Sequence, residues 1–384
     1  MKLQSLNVSY LSKDMHIEEI TFNAGLTLLV GASGVGKTQI LQSIDNLQNL
    51  AFGHNIVGFE WKASFIDGKD NYEWKGKFSN QKLKKISGLE KLLSSPERKN
   101  EEKVKIEYEY FLKNGFEILK RENDKITLNG KETVKLDPFQ SCIYILRQEE
   151  SLNYFHSSLM KIKNIENNIN QALLGFSSKV EEDKISTLED IKNLEVAILN
   201  KCALCQNYFP EIFEDITDAY QDIFPYVEQL KIEKQLFTLK NDSDETEFGQ
   251  DILMIKESGI SEWISHDEMS SGMLKTFVQL AYLYLSPTGT IFLIDEFENG
   301  FGVNCINSIS QWLVNPEFNH QFIITSHHPY IINNISPKRW KIISRNSNKI
   351  LSYDTSSVLD CSSHEAFIKL INLPLYNRGA SYNK

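Results

Sequence analysis

The stretch LTLLVGASGVGKTQI, residues 26 to 40, constrains the fold of this chain more than any other. A short apolar run precedes a turn rich in glycine, and apolar residues with helical spacing follow it. The turn fits the pattern Gly-x4-Gly-Lys-Thr, in which backbone N–H groups at a helix N-terminus surround an anion, the lysine reaches outer phosphates and the hydroxyl binds magnesium. The stretch therefore predicts a phosphate-binding loop. Its residues are Gly31, Ala32, Ser33, Gly34, Val35, Gly36, Lys37, Thr38 and Gln39.

Composition indicates the broad class of the protein. The 384 residues suffice for two compact units, and 41% hydrophobic with 24% charged residues is typical of a soluble globular chain. No run approaches the ~20 apolar residues of a membrane span, and the N-terminus lacks the apolar core of a signal peptide. We therefore expect a cytoplasmic protein without a membrane partner, whose five cysteines are reduced thiols.

The charge distribution bears on nucleic-acid binding. A formal net charge of −10 argues against a surface coated with basic residues. Lysines nevertheless cluster in residues 75–85 and 336–345. Such clusters are usually solvated faces, and a local groove for DNA is the alternative interpretation. DNA therefore stays open as a partner.

The first part of the chain is predicted to be rich in strands. The stretches LQSLNVSY, HIEEITFN and LTLLV are separated by polar turns. Apolar and polar residues continue to alternate over 56–145, around Asn114-Gly115 and Asn129-Gly130, dipeptides that favour β-hairpins. The pattern predicts an antiparallel sheet. The polar segment 80–102 is expected to interrupt it as a short helix and a loop.

The apolar spacing changes to that of helices after about residue 150. The predicted helical faces lie in 159–169, 185–198 and 212–227, and Pro210 suits the first turn of the last helix. This places the sequence NKCALCQNYFPE in a turn between two antiparallel helices. We expect a helical, coiled-coil-like insertion there.

The last part of the chain is predicted to return to helix and then to buried strands. The runs TIFLID and QFIITS have the length of central parallel strands, and WKIISRNSNKILSYD has the pattern of a final hairpin. The predicted segments are a lobe over 1–150, the helical insertion over 151–240 and a second lobe over 241–384. The predicted fold class is α/β, with a mixed central sheet, an antiparallel β-subdomain and the helical insertion.

One acidic residue ends the run TIFLID, and a second follows it directly. Asp295 and Glu296 directly follow four apolar residues. In enzymes with a phosphate loop, the acid that ends such a strand holds magnesium, and a following glutamate is suited to orient or deprotonate the attacking water. A charged turn without function is the alternative interpretation, and the shared apolar lead-in makes it the less favoured one.

Three further features gain meaning from their order in the chain. Gln148 ends the strand-rich region, and His327 follows the run QFIITS, where a neutral imidazole can meet a phosphate. Ser270, Ser271 and Gly272 open an apolar helix, so that a hydroxyl and free N–H groups can form a second anion site. Each feature alone is also typical of ordinary structure, and serine is a common helix cap.

Together these motifs resemble the ABC-type ATPase head. Walker A, Q-loop, helical insertion, signature, Walker B and switch histidine follow in the order of the branch that contains SMC, RecF and related repair ATPases. The resemblance implies ATP and Mg²⁺ as ligands, and it spans nearly the whole chain. The residues implied to bind phosphate or magnesium are Lys37, Thr38, Gln148 and Asp295. The implied catalytic residues are Glu296, His327 and Lys37.

The resemblance also implies a composite site. Ser270 and Gly272 would cap ATP bound to the opposite protomer, so that ATP joins two heads and hydrolysis releases them. We therefore expect a homo-oligomer, either a dimer or a larger assembly. The signature reads MSSGM where transporter ATPases have LSGGQ, which leaves the role of Ser271 open. Tyr10 is a candidate for stacking on adenine.

The rest of the sequence limits the cellular processes in which such an ATPase could act. The segment after His327 is too short for the Toprim nuclease domain of OLD-family proteins, and no carboxylate cluster replaces that domain. The chain resembles the stand-alone ATPase subunits of bacterial anti-phage systems such as PARIS and Septu, in which the ATPase senses infection and a separate nuclease acts. The alternatives are a RecF-like DNA repair or maintenance ATPase and a structural scaffold with little turnover.

The pair Cys202-x-x-Cys205 has two interpretations. At the apex of a helical hairpin, two such pairs from two chains could form a four-sulfur zinc site, as in the zinc-hook repair ATPases. Ordinary packing is the favoured interpretation, because the predicted helices are short and a lone C-x-x-C is common.

Overall fold

The computed structural model describes residues 1–80, 104–165, 182–240, 245–299, 318–355, 363–373 and 376. The chain divides into two compact units. Unit 1 is Met1–Ile162 with Ile323–Lys384, and unit 2 is Lys163–Phe322. The three segments predicted from the motifs are a different kind of division and stay a prediction. The predicted short helix within 80–102 lies outside the described residues, apart from residue 80.

Unit 1 combines a large sheet with helices. Its strands are β1 Lys2–Tyr10, β2 Met15–Thr21, β3 Leu26–Val30, β4 Phe59–Asp67, β5 Asp70–Phe78, β6 Ile106–Lys113, β7 Phe116–Glu122, β8 Lys125–Leu128, β9 Lys131–Glu132, and later β16 Trp340–Asn346 and β17 Lys349–Asp354. Its helices are α1 Lys37–Ala51, α2 Cys142–Ile145, α3 Glu150–Leu159, α8 Pro329–Asn334 and α9 Ser363–Asn372. Strand β10, Ile162–Asn164, and strand β15, Gln321–Thr325, each cross the boundary between the units.

The sheet of unit 1 is mixed. Its strand order is β15-β3-β16-β17-β2-β1-β4-β5-β6-β7-β8-β9. Strand β16 pairs in parallel with β3, and β17 pairs in parallel with β2, whereas β1 and β4 to β9 form an antiparallel ladder. The predicted α/β class with a mixed sheet and an antiparallel β-subdomain is confirmed.

Both predicted hairpin turns of the β-subdomain are confirmed. Asn114 and Gly115 join β6 to β7 with φ of 53° and 80°, and Asn129 and Gly130 join β8 to β9 with φ of 50° and 75°. Two-residue hairpins with a type I′ turn need positive φ at both central residues, which asparagine and glycine adopt at the lowest cost.

The core of the β-subdomain is aromatic. Alternate residues of β4 and β5 are buried, as expected of a sheet with one covered face. Phe155 of α3 packs against this face, with its ring centroid 4.5 Å from that of Phe111 and 5.9 Å from that of Trp74. These contacts place α3, and the turn that precedes it, against the β-subdomain.

Unit 2 contains the predicted helical region from residue 163 onward, the signature residues and the two acids after β14. Its elements are α4 Leu188–Asn193, α5 Ile198–Tyr208, α6 Pro210–Ile223, β11 Val227–Lys240, β12 Glu245–Glu257, β13 Ile264–Ser265, α7 Ser271–Leu285 and β14 Ile291–Ile294. Pro210 is the first residue of α6, as predicted. The apolar runs of β14 and β15 are buried strands, also as predicted.

The structure corrects the predicted helix boundaries. The predicted face of 159–169 is interrupted, because α3 ends at Leu159 and Ile162–Asn164 forms β10; residues 166–169 lie outside the described residues. The predicted face of 185–198 is also interrupted, because Leu194 is extended and a break separates α4 from α5. Helical structure ends at Ile223, and 227–240 forms β11, paired with β12 along its length. The sequence of β11 alternates as well as repeats every three to four residues, and pairing with β12 selects the strand.

Candidate nucleotide-binding site

The phosphate loop joins β3 to α1 in unit 1. All five residues of β3 are buried, and α1 begins at Lys37 with Gly36 as its N-cap. Gly34 and Gly36 have φ of 79° and 107°, in the region that favours glycine. The side chain of Val35 is 4% exposed and anchors the loop, whereas Ser33 and Gly34 are exposed at its tip.

Lys37 lies where a phosphate-binding lysine is expected. Its side chain is 6% exposed, and its ammonium donates hydrogen bonds to the carbonyl oxygens of Gly31 and Ala32, both at 2.9 Å. Thr38 and Gln39 follow in the first helical turn, where backbone N–H groups have no partners within the helix. Main-chain donors, an adjacent ammonium and a hydroxyl thus come from one short segment. This donor set fits the phosphates and Mg²⁺ of a nucleotide.

The C-terminal hairpin supports the phosphate loop, a feature that the sequence did not reveal. Trp340, Lys341 and Ile342 of β16 pair with Leu28, Leu29 and Val30 of β3. A Cβ atom built on Gly31 would lie 2.4 Å from the carbonyl oxygen of Ile343, and one on Gly36 would lie 2.3 Å from Cδ1 of Ile350. The hairpin therefore leaves no room for a side chain at either glycine, through its backbone at Gly31 and through the Ile350 side chain at Gly36.

Gln148 is exposed in the turn between α2 and α3 of unit 1. The segment before this turn is held by two buried charged residues that pair across β6 and β7, Glu109 and Arg121. The Glu109 carboxylate accepts hydrogen bonds from the Ser141 hydroxyl at 2.5 Å and the Cys142 N–H at 2.7 Å. The Arg121 guanidinium donates to the carbonyls of Asp137 and Gln140, at 2.7 and 2.8 Å.

Two adjacent histidines follow β15, and they differ in surroundings. His327 is half-buried, next to the buried Ser326. His328 caps α8, where its Nδ1 accepts a hydrogen bond from the N–H of Tyr330 at 3.3 Å. His328 therefore has a structural role as a helix cap, and His327 stays the predicted switch residue.

In unit 2 the two predicted acids follow β14. Asp295 is half-buried and Glu296 is exposed. Glu296 has φ of 43°, an uncommon backbone conformation for a residue with a side chain, and such outliers cluster at functional sites. The N–H of Asn299 donates to the carbonyl of Glu296 at 2.7 Å and closes a tight turn. Residues 295–299 are called the acidic turn below.

The signature residues lie at the N-terminus of α7 in unit 2. Ser270 is the N-cap, and its Oγ accepts a hydrogen bond from the N–H of Met273 at 3.3 Å. Ser271 and Gly272 form the first turn, with Ser271 exposed. Ser270 thus has the ordinary capping role that the sequence allowed. An anion at this N-terminus would share its donors with the cap.

The two cysteines of the predicted hairpin apex are in a different place. Cys202 and Cys205 lie inside α5 and are fully buried, so they do not lie in an exposed turn where a second chain could share a metal with them. Burial raises the pKa of Cys205 to about 12 and that of Cys202 well above its ordinary value, which favours neutral packing thiols. The hairpin turn is at Phe209. Tyr10, 6% exposed with its hydroxyl bonded to Ser43, is likewise a core residue and not a platform for adenine.

Among the residues that the structure describes, no group of three or more His, Cys, Asp or Glu side chains could hold a metal ion. Magnesium at nucleotide sites is usually bound by one or two protein ligands, with phosphate oxygens and waters completing the shell. Thr38 of unit 1 and Asp295 of unit 2, the predicted magnesium ligands, each carry an oxygen atom of a type that Mg²⁺ accepts. No described helix is long and apolar enough to cross a membrane.

The predicted site residues are thus divided between the units. Unit 1 holds the phosphate loop, Gln148 and His327, and unit 2 holds the signature residues, Asp295 and Glu296. Within unit 1 the loop, hairpin and α1 form one packed arrangement. Within unit 2 the acidic turn is linked to α7, because the Lys275 ammonium donates a hydrogen bond to the carbonyl of Asn299.

Similar solved structures include three SMC heads. They are an SMC head bound to the C-terminal winged-helix domain of ScpA (14% identity, TM-score 0.49, 92% of this chain and 98% of that chain), an SMC head domain from Thermotoga maritima (11%, 0.44, 92% and 99%), and an SMC head with an extended coiled coil bound to the C-terminal domain of ScpA, derived from Pyrococcus furiosus (14%, 0.41, 93% and 97%). No curated protein matches the chain.

A protein-family profile described as "AAA domain, putative AbiEii toxin, Type IV TA system" matches residues 26–333. The match begins at β3 and ends within α8, so it takes in the phosphate loop, Gln148, the signature, both acids and His327. Since it covers well over half of the sequence, the chain belongs to this AAA-domain family.

Proposed function

We propose that this protein binds and hydrolyses ATP, oligomerises through composite nucleotide sites, and acts as the sensor or regulatory subunit of an anti-phage defence complex. In that complex it would control a separate effector, a nuclease. The observation that carries the ATPase proposal is the phosphate loop of unit 1, where glycine conformations, helix N-terminus and buried lysine agree with phosphate binding. Membership of an AAA-domain family supports the same activity.

The proposed roles follow from the chemistry of each side chain. With nucleotide bound, the Lys37 ammonium would contact the outer phosphates in place of the loop carbonyls. The Thr38 hydroxyl and the Asp295 carboxylate would hold Mg²⁺, which would neutralise phosphate charge. Glu296 orients and deprotonates the attacking water. Gln148 senses the metal, and His327 contacts the terminal phosphate.

We propose that the signature residues of one protomer complete the nucleotide site of another. Ser270, Ser271 and Gly272 would lie against ATP held by another protomer, because the N-terminus of α7 carries partial positive charge. ATP would then join two heads, and hydrolysis would separate them. Such a cycle gives a regulatory subunit two states that an effector can distinguish.

The defence role is supported by the family description. It names a toxin of a toxin–antitoxin system, which is compatible with a chain that acts against infected cells. A RecF-like DNA maintenance ATPase is the alternative. The predicted basic clusters give it little support, because a lysine of each cluster is already paired with an acidic residue. Lys77 is paired with Glu107 at 2.8 Å, and the buried Lys341 is paired with Asp354. A structural scaffold with little turnover is the second alternative.

Mass in solution and ATP turnover test the proposal. They should be measured for the wild type and Glu296→Gln, each alone and with the protein encoded beside it. We expect Glu296→Gln to lower kcat by about 10²- to 10⁴-fold, the usual contribution of a general base, and to form an ATP-dependent oligomer that retains the neighbour. Glu262→Gln is the control, because Glu262 is exposed and belongs to the same unit.

Each outcome selects one function. A wild type that binds but scarcely hydrolyses ATP would favour the scaffold. A protein that stays monomeric with ATP, ignores its neighbour and retains duplex DNA would favour DNA maintenance. ATP turnover without any ATP-dependent change in mass would contradict the proposed composite site and still support the proposed ATPase activity.

A further inference from the structure

The helix that bears the signature contains one charged residue, and that residue is buried. Helix α7 has the sequence SGMLKTFVQLAYLYL, in which Lys275 lies among apolar positions. Its side chain is 8% exposed. A buried ammonium is costly unless hydrogen-bond acceptors replace its water, so its contacts identify what retains it there.

The described contact of Lys275 leads to the acidic turn. Its ammonium donates a hydrogen bond to the main-chain carbonyl of Asn299, 24 residues further along the chain. The N–H of Asn299 donates to the carbonyl of Glu296, which closes the turn from its other side. Asn299 is thus held by its carbonyl to α7 and by its N–H to Glu296.

The hydrogen bonds of Asn299 matter because of the backbone conformation of Glu296. Its φ of 43° is unfavourable for a residue with a Cβ atom, and such a conformation persists only where the surroundings enforce it. The direction of the Glu296 side chain depends on that backbone conformation. A change at Asn299 is therefore expected to change the position of the carboxylate.

Lys275 also lies one helical turn after Ser271 in the signature. Residues four apart share a face of a helix, so Lys275 and Ser271 belong to the same face of α7. One rigid helix therefore joins the signature to the turn that carries the proposed general base.

We propose that Lys275 is a positioning residue for ATP hydrolysis: by holding the carbonyl of Asn299 it keeps Glu296 in its left-handed conformation and couples the signature helix to the catalytic acid. This inference rests on the proposed ATPase function. It goes beyond that function because it assigns to Lys275 a role through Glu296 and not through contact with nucleotide. Rearrangement of α7 at a signature contact would then move the acidic turn as well.

Kinetics of Lys275→Met test the proposal, because methionine keeps an unbranched apolar side chain and removes the donor. We expect kcat for ATP to fall about tenfold or more, the effect of losing a hydrogen bond to a charged group, while KM changes less than about twofold. Lys275→Arg keeps a cationic donor and is expected to retain most of the wild-type kcat.

Lys201→Met is a matched control in the same unit. Lys201 is also 8% exposed, and its ammonium donates to the carbonyls of Lys192 and of Leu285, at the opposite end of α7. Loss of this lysine removes a buried ammonium of α5 without touching the acidic turn. We expect a changed free energy of unfolding but a kcat within about twofold of the wild type.

A double variant separates action through Glu296 from an independent effect. In a Glu296→Gln background, Lys275→Met is expected to lower residual turnover no further and to leave ATP binding unchanged, because the residue on which it acts is already altered. A further loss of similar size in the double variant would contradict the proposal.

The outcomes distinguish this proposal from the proposed function. A wild type without turnover would overturn the ATPase function itself. Wild-type kcat in folded Lys275→Met, a rise in KM without a fall in kcat, or an equal loss of kcat in Lys201→Met would overturn the positioning role alone. If Lys275→Met does not fold, Lys275→Leu takes its place under the same criteria, since leucine is also apolar and has no hydrogen-bond donor.

Discussion

The position of Gly31 has no space for a side chain. The carbonyl of Ile343 would lie 2.4 Å from a Cβ atom on Gly31, and this obstacle is backbone paired in a sheet. A flexible side chain could turn away, but a paired carbonyl cannot do so without moving β16. Sequence alone assigned Gly31 to the phosphate pattern and predicted the final hairpin, but it did not predict that the hairpin lies against Gly31.

Gly31→Ala is expected to lower the free energy of unfolding by about 1–3 kcal/mol, the usual cost of overpacking, and to weaken ATP binding. Gly25→Ala is the control, because no atom lies within 4 Å of a Cβ built there. Its effect should stay within about 0.5 kcal/mol. Urea unfolding and nucleotide titration measure both, and equal effects of the two substitutions would contradict this account.

Lys201 gives unit 2 a dependence on pH. Burial and, to a lesser extent, the nearby Lys163 lower its pKa, Cys202 and Glu195 oppose that shift, and the resulting pKa is about 8. In the unfolded chain a lysine has a pKa of about 10.4, so between these values the unfolded state binds more protons. Stability from this group therefore increases as pH rises through that interval and is lost as pH falls through about 8.

Lys201→Met removes this dependence. We expect the free energy of unfolding of the wild type to rise, relative to that of the variant, between about pH 7.5 and pH 9.5. The difference between the two proteins cancels the titration of other groups. Urea unfolding at both pH values measures it, and a constant difference would show that Lys201 has an ordinary pKa.

At the scale of elements, helix α7 is capped by the residue that also opens the signature. Ser270 accepts a hydrogen bond from the N–H of Met273 at 3.3 Å, so a stability change and a loss of function could be confused. Asparagine is as good an N-cap as serine but has a larger side chain. It therefore separates the two roles.

Ser270→Ala is expected to lower the free energy of unfolding by about 1 kcal/mol, and Ser270→Asn by much less. If Ser270 also contacts nucleotide of another protomer, both variants should lose the ATP-dependent oligomer of the Glu296→Gln protein. Mass in solution with ATP measures this. An oligomer that survives in the Ser270→Asn variant would limit Ser270 to its capping role.

The elements also show where sequence patterns are sufficient. Strand β3 and helix α1 were predictable, because each has a clear apolar pattern and the glycine-rich turn marks where the strand ends and the helix begins. The segment 227–240 was predicted as helix and is strand β11, because β12 supplies a partner from another part of the chain. Local patterns do not contain that pairing.

At the scale of the whole molecule, ATP should stabilise the protein by linkage. A ligand at about 100 times its Kd raises the free energy of unfolding by about 2.7 kcal/mol. Lys37→Met is expected to weaken binding by about 10- to 150-fold, the effect of losing a hydrogen bond from a charged group, and to remove most of that gain. Thermal unfolding with and without Mg-ATP measures the gain.

Lys338→Met is the control for the loss of a lysine. Lys338 is exposed and lies in the C-terminal basic cluster. The variant should keep the full stabilisation by Mg-ATP, because its charge is not in the phosphate loop. Stabilisation that persists in Lys37→Met would show that the nucleotide binds elsewhere.

The sequence by itself determined the phosphate loop, the acids after β14, the hairpin turns and the order of the motifs. These features depend on residues adjacent in the chain: glycine where φ is positive, an apolar run before a charged turn, asparagine and glycine between alternating strands. Their physical causes act between residues that are close in the chain, so the sequence alone is enough to predict them.

Tertiary structure alone decided the rest. It placed the final hairpin against Gly31, buried Cys202 and Cys205 inside α5, and brought the ammonium of Lys275 to the carbonyl of Asn299. Each of these depends on which surfaces pack together after distant segments meet. Burial and long-range hydrogen bonds are properties of that packing, and no local pattern of residues encodes them.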